Sequence, residues 1–202
     1  MRVAVWVIVM TVAALFCNAQ TGALAQDINV DEKTVYYDVE GQDFKTVRQS
    51  IKAYSQLNHD NGNRIARTRI NISFSLELRV EPLRCSIKEH EVIVDLEILL
   101  PFWIDMEEAT AHDRKQWGEF YSAVVRHEKT HVAIAKAMAE QTSAILSETR
   151  AAGTCDALKT RAENAVSSYL ETTKAQQQYD DYTRGDPDRD GFDISAATRR
   201  QR

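Results

Sequence analysis

Apolar residues recur along this chain with two different periods. Between Arg69 and Val80, the residues Ile70, Ile72, Phe74, Leu76, Leu78 and Val80 alternate with polar ones. A period of two over this length predicts a half-buried strand, with one face on a core and the other in water. Pro82 ends it. Val92, Val94, Leu96, Ile98 and Leu100 repeat the alternation until Pro101. The two strands are close in sequence and are expected to pair antiparallel. Upstream, Thr34 to Gly41 reads as a short strand. Asp43 is placed to cap a helix in which Phe44, Val47, Ile51, Tyr54 and Leu57 fall at helical spacing. The stretch Asn58–Arg64 is a polar turn with an Asn-Gly step.

From Met106 the period becomes 3.6. Trp117, Phe120, Tyr121, Val124, His127, His131, Ile134, Met138 and Ile145 lie on one broad stripe. The pattern predicts one long helix from Glu107 to Arg150, a break at Gly153, and a second helix from Asp156 to Gln178. The expected fold class is therefore α+β, a small antiparallel sheet packed on a long helix and a C-terminal helical hairpin. Residues 26–185 are expected to form one domain. Residues 186–202 are polar and are expected to be a loose tail.

The N-terminus follows a different rule. Arg2 is the only charge before Asp27, Val3 to Cys17 is almost wholly apolar, and Ala23-Leu24-Ala25 offers a small-residue cleavage site. That order predicts a secretory signal over residues 1–25. The apolar run is short for crossing a bilayer. An uncleaved anchor is the alternative. Bulky Phe16 argues against lipid attachment at Cys17. Two cysteines then remain, Cys85 and Cys155, and an even pair in an exported chain predicts a disulfide. Closing that loop contributes about 4 kcal/mol in the chain-entropy account.

With 202 residues, 44% of them hydrophobic, the chain can fill one core. Its net charge of −5 provides no basic footprint for nucleic acid.

The candidate chemistry lies on the long helix. His127-Glu128-Lys129-Thr130-His131 fits H-E-x-x-H. Imidazoles four residues apart on a helix face the same way and can share one Zn²⁺. Glu128, about 100° round the helix, can reach a water that zinc has made acidic and act as general base. Charged Lys129 is unusual between the glutamate and the second histidine. The other use of the pair is structural, as core histidines bonded to backbone or carboxylates.

A catalytic site needs a third protein ligand and an open position. No histidine follows His131. The candidates are a downstream carboxylate or one of His59, His90 and His112. Folding the chain back near Ala152 sets residues 173–177 opposite the two histidines, and brings Glu171, Asp180 and Asp181 within reach.

Tyr36-Tyr37-Asp38-Val39-Glu40-Gly41, the run from Val92 to Trp103, the histidine motif, the two cysteines and Gln176–Asp186 occur in a specific order. In that order the chain resembles a bacterial domain-of-unknown-function family of predicted secreted zinc-dependent proteases, zincin-like in fold. The resemblance runs from Thr34 to Gly185. Such proteins usually close on Tyr-Asp-x-x-Thr-x-His-Gly. Tyr179, Asp180 and Thr183 match that pattern here, but Arg184 is followed directly by Gly185 and the histidine is missing. The resemblance and the hairpin geometry together favour Asp180 as third ligand. Tyr179 is a candidate oxyanion donor, or else a packed core residue.

An exposed strand can hold an extended peptide by backbone pairing. The strand ending at Phe102 and Trp103 is the candidate, with those two rings flanking the cleft or buried under the helix. In the tail, Asp186, Asp188, Asp190 and Gly191 open like a calcium loop. Its twelfth position is Ala197 rather than glutamate.

These readings lead to a periplasmic or secreted zinc metallopeptidase. Its substrate would be a peptide or protein, and it would have no stable membrane association once the leader is removed. The alternative is a non-enzymatic partner-binding protein of the same fold. A zinc hydrolase of non-peptide amide bonds is a third reading.

Overall fold

The computed structural model describes residues 26–57, 65–184, 189 and 191–200. The proposed signal segment, the Asn58–Arg64 turn and the aspartates of the calcium-like loop lie outside them.

Three strands form one sheet in the order β1 (Gln26–Val39), β3 (Arg84–Trp103), β2 (Arg67–Glu81). β2 and β3 pair antiparallel, as their alternation predicts, with Ile70 beside Leu96 and Ile72 beside Val94. β1 corrects the expectation of an antiparallel sheet. It pairs parallel with β3, from Gln26↔His90 to Val39↔Trp103, so the sheet is mixed. A parallel partner needs a crossover, and α1 (Phe44–Leu57) followed by β2 supplies it. β1 is also longer than the expected Thr34–Gly41. Its first half shows few apolar residues, because only Ile28 and Val30 meet the core there.

Thr110 caps α2 (Ala111–Glu148), its hydroxyl accepting from Asp113 N. The helix therefore begins four residues later than expected, after a short 3-10 turn at Met106–Glu108. At 38 residues it extends about 57 Å. The second arm of the hairpin is two helices rather than one. α3 (Cys155–Thr172) stops at two successive β-branched threonines, and α4 (Ala175–Thr183) follows after Thr173 and Lys174, which leave helical geometry.

Val92, Val94, Leu96, Ile98 and Leu100 of β3 point into the main core, against Ile134, Leu146, Val166 and Tyr169 of the helices. A second, aromatic core lies at the other end, where Tyr37, Val39, Val47, Ile51, Trp103 and Trp117 meet. α1, capped by Asp43, which accepts from Thr46 N at 2.7 Å, packs there through Val47 and Ile51 and is tied to α2 by Phe44 N donating to Asp113 Oδ1 at 3.2 Å. A side chain at Gly41 would bring its Cβ to 2.7 Å from Val47 N, so the approach of β1 to α1 requires glycine. Cys85 and Cys155 form the expected disulfide. It ties the β2–β3 hairpin to α3, next to a backbone bridge between Cys85 and Ala152.

The C-terminal segment differs from the loose tail expected of it. Ile194–Thr198 forms a short helix, α5. Phe192, Ile194 and Ala197 pack on the main core. Among the described residues no helix is long and apolar enough to cross a membrane.

Candidate metal centre

α2 presents His127 and His131 one turn apart. α4 brings Asp180 over them. His131 Nε2 lies 3.2 Å from His127 Nε2 and 3.0 Å from Asp180 Oδ1. His127 Nε2 lies 3.4 Å from the same oxygen. Zinc bonds of about 2.0–2.1 Å at the tetrahedral angle would set ligand atoms about 3.3 Å apart. The triangle of 3.0, 3.2 and 3.4 Å has that size. His127, His131 and Asp180 form the one group among the described residues that could hold a metal ion.

The outer hydrogen bonds decide which nitrogens face the centre. Gln176 Nε2 donates to His131 O at 3.2 Å, which turns Gln176 Oε1 towards the ring to accept from His131 Nδ1. Thr183 Oγ1 donates to Tyr179 O at 2.9 Å and has a lone pair left for His127 Nδ1 at 3.5 Å. With both Nδ1 atoms protonated, two Nε2 lone pairs and a carboxylate oxygen converge on one point. Three acceptors this close require a cation, either a proton or a metal. Outer partners of this type are what orient metal-binding imidazoles generally.

Burial pushes the His131 pKa down, but the hydrogen bonds to Asp180 and Gln176 outweigh it and hold the pKa above its ordinary 6.5. Burial likewise pushes Asp180 up, and the bonds from His127 and His131 hold it far below the ordinary 3.8. The raised histidine stabilises the metal-free fold fully below pH 6.5, and that contribution is lost as pH rises through the raised value. The lowered carboxylate stabilises it above pH 3.8, and that contribution is lost as pH falls through the lowered value. A metal ion bound at His131 Nε2 would have to displace the proton there. Thermal scans with and without zinc are therefore expected to show a small rise in Tm at about pH 5.5 and a larger one by about pH 8. An equal rise at both would exclude His131 as a ligand.

Glu128 is buried beside this cluster, 5% exposed. Thr68 Oγ1 of β2 donates to its Oε2 at 2.7 Å. A cleft of about 530 Å³ opens in front, lined by Ile65, Arg67 and Ile70 on one side and by Val124, His127 and Glu128 on the other.

Residues 34–186 match the family described as "Bacterial protein of unknown function (DUF922)". The chain belongs to the DUF922 family. The matched region includes all three clustered residues and Glu128, and it ends before α5. No curated protein and no solved structure matches the chain.

The other candidate ligands of this DUF922 protein lie elsewhere. His90 is buried against Ser143, with Nε2 and Oγ 2.8 Å apart. His112 is exposed in the first turn of α2, about 22 Å along the helix from His127. Glu171 accepts from Ser167, and Asp181 pairs with Arg184. His59 lies outside the described residues. Lys129 does not disturb the site, because it points to the β1 side of α2 and pairs there with Glu32. Tyr179 is a packed core residue, 5% exposed, with its ring stacked on His127 at 4.9 Å.

The strand beside the cleft is also corrected. β3 is central and paired on both sides. Trp103 is buried, its Nε1 donating to Gly41 O, while exposed Phe102 packs on Tyr36. It is β2, an edge strand, whose Arg67, Thr68 and Ile70 line the cleft. Thr68 had no signal in the sequence, being 60 residues from Glu128. Gln176 falls within the window set by folding the hairpin back, and Thr183 within the family's closing pattern. Neither carries a local signal for its hydrogen bond to a histidine.

Proposed function

We propose that this protein is an exported, zincin-like, zinc-dependent hydrolase of peptide bonds. The observation that carries the reading is the convergence of His127 Nε2, His131 Nε2 and Asp180 Oδ1 at the edge lengths of a tetrahedral zinc site. Three protein ligands lining the cleft would leave a tetrahedral zinc one further position, as a catalytic rather than a structural site requires. Zinc bound there supplies a Lewis acid and an acidified water.

The chain's own residues supply the rest. Thr68 holds Glu128 by Oε2, and Oε1, which carries no such bond among the described residues, is the atom that takes the proton. Gln176 and Thr183 hold the imidazoles in the tautomer that directs both Nε2 atoms inward. The free edge of β2 beside the cleft supports an extended peptide lying across Glu128, held by main-chain hydrogen bonds. The disulfide and the apolar N-terminal run support an exported protein.

The direct test counts zinc by elemental mass spectrometry on protein purified without chelators or metal-affinity tags. The expected result is close to one zinc per chain. No zinc, even after dialysis against it, would make the two histidines core residues and favour a partner-binding protein.

A further inference from the structure

α4 is a weak platform for a metal ligand. It has nine residues and no side-chain cap at Lys174, and so short a helix is not stable by itself in water. Yet it carries Asp180 and both residues that orient the histidines, Gln176 and Thr183. The chain therefore has to hold α4 down from outside.

The segment that follows does so. The Phe192 ring packs on Tyr179 at 5.2 Å and on Tyr182 at 5.6 Å, both on α4. Tyr179 in turn stacks on His127 at 4.9 Å and meets His131 edge-on at 5.1 Å. An aromatic column thus leads from the C-terminal segment to both imidazoles. Two bonds anchor α5 behind it, from Tyr169 Oη to Thr198 O at 2.8 Å and from Thr173 Oγ1 to Ala197 O at 3.5 Å. Arg189 adds a third hold on α4, with its guanidinium 4.6 Å from the Tyr182 ring centre and Nη1 donating to Tyr182 O. The family match ends at residue 186, so Phe192 and α5 lie beyond the matched domain.

We infer that Phe192 and α5 are positioning elements of the metal centre, a strap that holds Asp180, Gln176 and Thr183 over the two histidines. The inference rests on the zinc reading above. Without Phe192 the Tyr179 ring loses its outer cover, α4 lifts, and the third ligand leaves while His127 and His131 stay on α2.

The test uses the full chain carrying Phe192→Ala, with Phe192→Leu as the conservative control. Two quantities are read: zinc affinity by chelator competition, and amide hydrogen exchange in α4 and α2. Phe192→Ala is expected to weaken zinc binding about 10-fold, the lower end of what loss of an outer partner costs. It should speed exchange across Ala175–Thr183 while α2 exchanges as in the parent, and leucine should restore most of both. A parent and alanine variant that bind zinc equally, with equal α4 exchange, overturn the inference and leave the metal site standing. A parent that binds no zinc overturns both. If Phe192→Ala does not fold, Tyr169→Phe, which removes the hydroxyl that donates to Thr198 O, reads the same quantities. About 3-fold weaker binding with faster α4 exchange supports the strap, and no change in either overturns it.

Discussion

Glu128→Gln is expected to keep its zinc and lose its hydrolysis. The substitution conserves shape, and Thr68 can still donate to the amide oxygen in place of Glu128 Oε2. His127, His131 and Asp180 are unchanged, so the metal count should remain that of the parent. What disappears is the oxygen that takes a proton, and general-base catalysis by a positioned side chain contributes about 10²–10⁴-fold. Turnover of a mixed fluorogenic peptide library should fall by about 10³-fold, in the middle of that range. Elemental zinc should be measured on the same samples. Activity surviving with zinc in place would remove Glu128 from the mechanism. Activity lost together with zinc would show instead that Glu128 supports the site structurally.

The ligand variants act in the opposite order, on metal first. His131→Ala deletes a ligand whose ring is also held by Gln176. It leaves two ligands, and zinc is expected to fall to near none per chain. Asp180→Ala removes the sole carboxylate of the cluster. Zinc affinity should drop by more than about 100-fold, beyond the 10–100-fold cost of losing an outer hydrogen-bond partner. Asp180 is half exposed, so its loss should not create a large cavity. Unchanged affinity in Asp180→Ala would move the third ligand elsewhere. Tight binding in His131→Ala would end the tetrahedral assignment.

The two variants also address different features of the sequence. His127 and His131 are on one helix, and their common direction follows from 3.6 residues per turn. Asp180 is 49 residues beyond His131, and its place depends on how two helices turn back. Folding the chain at Ala152 put positions 173–177 opposite the histidines. Gln176 does lie there, bonded to His131 at both ends of its amide. Asp180 lies further along, on α4, beyond a break at Thr173 and Lys174 where the backbone leaves helical geometry. A single continuous helix through Gln178 did not contain that break.

Local pattern was therefore enough for β2, β3, α1, the body of α2 and the cysteine pair. Each rests on periodicity, a cap or a residue count that involves only neighbours in the chain. The H-E-x-x-H order was legible in the same way, whereas the family came from the resemblance of motifs in their order along the chain. Tertiary structure alone decided that β1 runs parallel to β3. It also placed Thr68 from an edge strand behind Glu128, buried Trp103, and packed Phe192 onto α4. These outcomes depend on which apolar faces find one another across long loops, and no local period encodes that choice. The residue types of the site are a property of the sequence. The triangle of 3.0, 3.2 and 3.4 Å arises from packing, since three acceptor atoms are held together only where the surrounding core holds both helices in place.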